Sequence, residues 1–533
     1  MTATTTAPDS STWAPLRIGV FRMLWLAVFG SQVGTWMQTV GAQWLLLDEE
    51  NAGTLVSLVQ TAGTLPVLLL ALPAGVLADS FDRRRLLIGV QMFQLAVGVA
   101  LTALTLAGEM TPPLLLTLTF ALGCGMAMTT PTYQAVIPEL VPRPLIPSAA
   151  SLGAISINLA RAVGPAIAGV LVAQAGPAAV FGINAATFLI FAIVLLLWRR
   201  DPKEEGAGPE PFVAALRAGG RYVRYSPIMR RLLLRSILFV APAMALWALL
   251  PLLASRRLGL GASGYGLLLA ALGAGAVLAA FVMPRIRAAL SGTAMLAAAS
   301  VTYALVLAIL AVVRSPLIAV LALIPAGAAW MAVQSNLNAE VQLLLPHWVR
   351  ARGLATYQTV FFGGQAIGSL AWGVAADRIG LVPAFLIAAA LTALGAATLP
   401  IAPLLTSRHL NRDPATPWPE PHLAHQPAAD AGPVVVQVTY TVPPEREAEF
   451  LAATAALRRS RMRTGAVQWG VFRAGETPEQ MIELYVVPSW GEHLRQHGGR
   501  LTGADEELDR RVRELSATPP EVIHMISADA PLS

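Results

Sequence analysis

The sequence predicts an all-α membrane protein with twelve transmembrane helices in two halves of six, followed by a small α+β domain. Three observations carry this reading. The chain of 533 residues is 55% hydrophobic and 13% charged, with a mean hydropathy of +0.61. That is more apolar surface than a soluble chain of this size can bury. The apolar residues gather into runs of about 20, the length that crosses the hydrocarbon. Lysine and arginine sit almost entirely on one side of those runs.

The spans read, in order, as 23–47, 54–77, 86–107, 112–131, 148–174, 178–198, 234–254, 263–284, 293–313, 316–341, 353–376 and 382–404. Gly and Pro interrupt several and blur their ends. The first run is too long for a signal-peptide core, so no cleavable leader is expected. With a cytoplasmic N-terminus, Arg256, Arg257, Arg314 and Arg378 alone among the basic residues near span ends face outward. A wrong span count would scramble that asymmetry, so it supports number and orientation together. The expected organisation is a six-helix half over 1–198, a basic cytoplasmic loop over 199–233, a second half over 234–405, a linker over 406–433 and a cytoplasmic domain over 434–533. A gap-free offset of 204 residues pairs Ala135 with Ala339, Pro142 with Pro346, Gly164 with Gly368, Gly169 with Gly373 and Gly176 with Gly380. It lays span five on span eleven, as a parallel repeat of six helices requires.

The charge balance excludes other classes. A net charge of +6 and a pI near 9.9 suggest nucleic acid until the charges are placed. They lie in short loops between spans, which is topology, so no nucleic-acid partner is expected. The single cysteine, Cys124, lies in an apolar run, which rules out a disulfide framework and a cysteine metal site.

After about Leu405 the composition changes. Residues 406–433 are rich in Pro, Ala, His and Asp and read as a flexible linker. Alternating apolar runs then predict strands at 434–442, 467–473, 481–487 and 522–526, with helices at 443–460, 489–496 and 504–515. The β-α-β-β-α-β order predicts a ferredoxin-like domain. His493 and His497 stand at i, i+4, a spacing that can hold a metal. No third ligand is evident nearby, so the pair reads as structural or substrate-contacting, and no metal or cofactor is expected. Trp469, Tyr485 and Trp490 line a pocket or fill the core between helix and sheet.

Polar residues inside the spans are candidates for the working site, because lipid cannot satisfy them. Arg161 in span five is the sharpest. It either holds an anionic group of a solute or ties to a carboxylate such as Glu139 or Glu340. Span ten carries Trp330, Gln334, Asn338 and Gln342 four residues apart, one polar face on an apolar helix. Span one offers Gln32, Gln38, Thr39 and Gln43; Asn158 precedes Arg161 in span five; and span eleven offers Tyr357, Gln358 and Gln365. For any single amide, hydrogen bonding between helices is the plainer reading. Together they describe a cavity rich in amides, edged by aromatics and poor in charge, suited to a large amphipathic organic solute.

The connection Gly75 to Arg85, G-V-L-A-D-S-F-D-R-R-R, resembles the loop between helices two and three of the major facilitator superfamily, G-x-x-x-D-R-x-G-R-R-R/K. Gly75, Asp79, Arg83, Arg84 and Arg85 match; Ser80 replaces the usual basic residue and Asp82 the usual glycine. Gly164, Pro165 and Gly169 resemble the glycine-proline motif of antiporters in that superfamily. A second stretch, G-V-A-A-D-R-I-G from Gly373 to Gly380, looks like another copy of the loop but falls on the outer side by the span count. With a tail bearing R-x-R-x-G-A-x-x-W and S-W-x-E-H-L-R-Q-H, the chain resembles the transmembrane secretion effector branch, which includes enterobactin exporters and some macrolide pumps. The tail itself is similar to antibiotic-biosynthesis-monooxygenase-type domains. The resemblance implies a multi-pass protein of a bacterial inner membrane, both termini cytoplasmic, that exports siderophores or hydrophobic drugs against a proton gradient and is not an enzyme. It implies gating by Asp79 against the start of span eleven, near Arg352 and Gly353, with Glu340 in coupling. It leaves room for dimerisation through the tail. No G-x-x-x-x-G-K-[ST] is present, which argues against ATP-driven transport. The alternative is a membrane-tethered enzyme or ligand sensor acting through the tail.

Overall fold

Some helix ends fall where the sequence supplies a cap. Asp82, standing where the loop motif has glycine, accepts from Arg85 N at 2.8 Å and starts a helix. Ser291 does the same through Ala294 N at 3.2 Å, and Gly108, at φ 74°, closes a helix in the left-handed region. The computed structural model describes residues 13–198, 212–405 and 411–528, without 414, 416–417, 419–422 and 424–426, and without the side chains of 71–80, 143, 212–218, 347 and 351.

The helices are α1 (Gly19–Leu45), α2 (Ala52–Ser80), α3 (Arg83–Ala107), α4 (Pro112–Leu140), α5 (Ile146–Leu197), α6 (Phe212–Tyr225), α7 (Pro227–Leu252), α8 (Ala262–Ala289), α9 (Gly292–Val312), α10 (Pro316–Leu344), α11 (Arg350–Ile379) and α12 (Leu381–Ala397). Among the described residues nine are long and apolar enough to cross a membrane. At 1.5 Å per residue α5 would run about 78 Å, far beyond one bilayer. It breaks at Gly176, whose φ of 75° and ψ of 173° leave the helical region. With α5 counted as two arms, and with α1 and the short α12, twelve membrane helices stand among the described residues. They match the twelve spans read from the sequence in order and closely in extent. Side chains such as Phe281 and Ile367 stand exposed on them, as lipid-facing positions do.

The internal repeat is written in the backbone. Helices α4 and α10 start and stop at positions 204 residues apart, and so do the 3-10 turns Arg143–Leu145 and His347–Val349 that follow them. Gly176 and its repeat partner Gly380 share a left-handed conformation, the latter at φ 90° and ψ 162°. Each sits where one membrane helix ends and the next begins, a turn that a β-carbon would strain.

Three arginines close helix C-termini, where the last carbonyls lack partners. Arg84 donates to Leu195 O and Leu196 O, both at 2.8 Å. Arg257 donates to Val313 O and Val312 O, both at 2.9 Å. Arg235, buried, reaches Gly395 O in the last turn of α12 and Thr398 O and Ala402 O beyond it. Where α5 crosses α8, a β-carbon on Gly169 would stand 2.8 Å from Gly266 Cα and 2.7 Å from Ala262 O. Gly169→Leu is expected to wedge these helices apart and lower the melting temperature of the detergent-purified protein by several degrees, read by differential scanning fluorimetry.

The chain divides into two compact units, 1–204 with 235–337 and 358–403, and 205–234 with 338–357 and 404–533. In the second, β1 (Val434–Thr441), α13 (Glu447–Thr464), β2 (Gln468–Arg473), β3 (Gln480–Val487), α14 (Trp490–Arg495), α15 (Gly503–Arg513) and β4 (Glu521–Ile526) follow the predicted order. The sheet runs β2-β3-β1-β4, antiparallel throughout, which is the split β-α-β arrangement of ferredoxin-like domains. Val434, Val436, Val438 and Tyr440 of β1 pack on Phe450, Leu457 and Val512. Tyr485 and Trp490 are buried in that core and Trp469 packs against it, so core is where these three aromatics go.

A buried ionic network lies under the sheet. Arg461 bonds Glu483 at 3.0 Å and Asp509 at 2.8 Å. Tyr440 and Trp469 also donate to Glu483, at 3.1 and 2.9 Å. Burial alone would raise the Asp509 carboxyl, yet Arg461 and Arg513 hold it below its usual value. Asp505 is held low against burial by Arg463 and by hydrogen bonds from Ser460 and Thr502. A carboxyl depressed in the folded state stabilises fully above its unfolded value, near ~4, and that contribution is lost as pH falls through the lowered folded value. Proteolytic resistance of the tail is expected to hold from pH 7 down to about 4 and to collapse below it. Asp509→Asn should flatten that acid limb.

Candidate functional site

Helix α5 carries Arg161 into the first unit, one turn before Gly164. Glu139, one carboxylate proposed for it, is taken by Arg83 at 2.8 Å, so that tie does not form. Arg161 Nε and Nη1 are buried with no hydrogen-bond partner, and its guanidinium lies 5.6 Å from the Trp36 ring. A cation at this depth is costly, and an aromatic face offsets only part of the cost. From Trp36 on α1 an aromatic run continues to Trp247 on α7 at 5.8 Å and to Trp330 on α10 at 5.7 Å between ring centroids. Phe361 on α11, Phe239 on α7 and Tyr303 on α9 surround Trp330 at 6.2, 6.0 and 6.4 Å. Helices from both repeats thus meet in one aromatic seam that ends on an unsatisfied guanidinium. The seam is adapted to an apolar ring system bearing a negative group.

The other predicted residues divide. Trp330 is buried, Gln334 half-buried, and Asn338 and Gln342 exposed, so the polar stripe of α10 opens to solvent toward its C-terminal end. Gln365 and Glu340 are buried and Gln358 is exposed. Gln38 is spoken for: Asn184 of the second arm of α5 bonds its Oε1. Asn158 turns back on its own helix, to Ala154 O at 2.9 Å. For Gln38 the bond joins two helices, as the plainer reading has it, while that of Asn158 stays within α5. Gly164 lets α1 approach, since a β-carbon there would stand 2.8 Å from Trp36 Cβ, and the Pro165 carbonyl lies where Gly266 must stay small. Arg83 and Arg84 act inside the first repeat, on Glu139 and on the end of α5. The side chains of Gly75 and Asp79 lie outside the described residues.

The sequence reading missed Asp377. It belongs to the stretch that looked like a misplaced copy of the opening loop, at the end of α11. Its carboxylate accepts from Gly53 N at 3.0 Å, Thr54 N at 2.7 Å and Thr54 Oγ1 at 2.6 Å. An anion on the first amides of α2 meets unpaired N–H groups and the positive end of the helix dipole. Further along the same seam Ser369 Oγ donates to Ser57 O at 3.1 Å and Thr61 Oγ1 to Ala366 O at 3.0 Å. At the same end Tyr265 of α8 donates to Gln43 of α1 at 2.6 Å. The two repeats are therefore latched together where α2 begins and α11 ends. Asp377→Ala is expected to loosen the latch. With Cys124 replaced, pulsed electron resonance between labels at the start of α2 and the end of α11 should change from one short distance to a broad, longer distribution.

In the second unit, Glu492 joins separate elements. It accepts from Arg221 of α6 and from Arg500, each at 2.6 Å. Burial would raise its pKa, but Arg500, Arg495 and Arg221 together hold it low. Trp348, just before α11, donates to Arg500 O at 3.1 Å. Beside Glu492 the structure supplies what the sequence reading found wanting. His524 of β4 comes to His493 and His497, because its register partner is Val436 on the covered face of β1. The alternation in β4 was the signal that could have found it.

A family model described as transmembrane secretion effector matches residues 10–532. The chain belongs to this family. It is a multi-pass membrane protein of the major facilitator type. Within the matched segments it is 26% identical to the staphyloferrin A transporter of Staphylococcus aureus, over 48% of this chain and 64% of that one. It is 26% identical to the multidrug efflux pump Tap of Mycolicibacterium fortuitum, over 69% and 92%, and 24% identical to macrolide efflux protein A of Streptococcus pyogenes, over 44% and 58%. The chain thus spans under two thirds of the length of several curated relatives it matches. Among solved structures, nucleoside transporter NupG aligns at a TM-score of 0.59 and 14% identity, over 72% of this chain and 99% of that one. An inward-facing, unoccupied bacterial homologue of the human lysosomal transporter Spinster aligns at 0.54 and 15%, over 73% and 95%. At such identity these likenesses speak for the fold alone.

Proposed function

We propose that this transmembrane secretion effector is a secondary active transporter that exports amphipathic, ring-bearing anions across the bacterial inner membrane, by alternating access coupled to protons. The observation that carries the reading is Arg161, a buried guanidinium without an ion partner at the head of the Trp36–Trp247–Trp330–Phe361 seam. A carboxylate or catecholate on a solute would complete it while the rings pack on the aromatics. Relatives named as transporters of staphyloferrin A, macrolides and multiple drugs support a siderophore-like or drug-like substrate. Gln334 and Gln365 line the approach in this reading, with Asn338 and Gln358 at its exposed mouth.

The basic bias of the loops supports cytoplasmic termini, which puts the Asp377 latch on the outer side. In this reading the Asp377 latch holds the outer side shut. Release requires the latch to part and the opposite side to close, a step the loop resemblance assigns to Asp79. In this reading Gly164, Pro165 and Gly169 let α5 bend between these states, and Glu340 and Asp79 serve coupling and gating. The sheet of the tail exposes Phe472, Ile523 and Met525, a surface that supports pairing of two chains.

The test is substrate-driven proton movement in proteoliposomes with a pH dye inside, screening catecholate siderophores and macrolides. Transport of an anionic compound should fall at least tenfold in Arg161→Ala, recover in part in Arg161→Lys, and vanish with Asp79→Asn. Flux of wild-type size in Arg161→Ala would remove it from the site, and no proton movement with any substrate would sink proton coupling.

A further inference from the structure

We infer that the tail holds a divalent transition-metal ion on His493, His497 and His524. The ligand nitrogens of the three imidazoles all lie within 4.8 Å of one another, and the ring centroids stand 4.6, 4.9 and 6.3 Å apart. Metal–nitrogen bonds of about 2.0–2.1 Å in a tetrahedral site put ligand nitrogens about 3.4 Å apart, so small ring rotations close the set. Two ligands come from successive turns of α14 and its extension, and the third from the inner face of β4, a rigid frame from two elements.

The imidazoles want a partner. His493 is fully buried, and neither of its nitrogens makes a hydrogen bond, nor does Nδ1 of His497. Gln496 is near enough to raise the proton affinity of His493 without bonding it in good geometry. Unsatisfied buried nitrogens are uncommon and costly, and a cation bound by three lone pairs would satisfy them together. Nearby carboxylates do not compete, since Asp509 and Glu483 are bonded to Arg461 and Glu492 to Arg500. Three imidazoles without a carboxylate favour Zn(II), Ni(II) or Cu(II) over Ca(II) or Mg(II). Trp490 stands 5.3 Å from His493 and Trp418 4.7 Å from His497, walls that leave water as the fourth ligand.

The test uses the full chain in detergent, stripped with a chelator and titrated with Co(II), whose tetrahedral complexes absorb in the visible. One Co(II) per chain should bind, be displaced by Zn(II) and not by Mg(II), and weaken at least ~10-fold in His524→Gln and in His497→Gln. His524→Gln lies on a partly exposed edge strand and keeps the test open should His493→Gln misfold. No bound Co(II), or one Co(II) held equally well by the His493/His497/His524 triple variant, would overturn the inference. The second outcome would move the metal to the histidines of the linker.

Discussion

Hydrocarbon offers no hydrogen bonds, and most of this structure follows from that constraint. Each spanning segment is helical because a helix satisfies its own backbone. The ends it cannot satisfy are met from elsewhere: Arg84, Arg235 and Arg257 close C-termini, Asp82 and Ser291 open N-termini, and Asp377 serves the start of α2. Thr and Ser hydroxyls return to carbonyls of their own or a neighbouring helix, as Thr61 and Ser369 do. Against that background Arg161 stands out as a charged group of the first unit with two buried nitrogens left over.

The same constraint turns caps into gates. A carboxylate on an N-terminus within one helix pair is plain structure. Asp377 sits at the end of one repeat and caps a helix of the other, so it stabilises one relative arrangement of the two. Glycine contributes the complementary half: Gly169 against Gly266 lets backbones touch without side chains to interlock, and such contacts separate at small cost. Polar caps that select a state and smooth seams that permit its exchange are both needed for alternating access.

The tail follows a different solvent. Water surrounds it, so it can bury charge only by pairing it, and Arg461 with Glu483 and Asp509 forms a closed set capped by Tyr440 and Trp469. Buried pairing of this kind specifies one arrangement more than it adds stability. His493 and Nδ1 of His497 stay outside that pairing, with buried nitrogens that make no hydrogen bond among the described residues.

Helix number, strand order and the repeat were legible because each has a period or offset carried by neighbouring residues. Twelve apolar runs, the alternation of β1, and the spacing from Pro112 and Pro316 to Gly176 and Gly380 are local patterns, and the backbone follows them. Arg161 and Trp330 were legible as well, since a charge or a polar stripe within an apolar span is anomalous wherever it stands. Partners were not legible. That Glu139 takes Arg83 rather than Arg161, that Asn184 takes Gln38, that Asp377 reaches α2 and that His524 joins His493 are matters of which residues, far apart in the chain, are brought within 3 to 5 Å. Sequence by itself determined the elements, because transfer from water to lipid acts residue by residue. Tertiary structure decided the site, the latch and the histidine cluster, because hydrogen bonds and ring contacts act only over a few ångströms and depend on how whole helices pack.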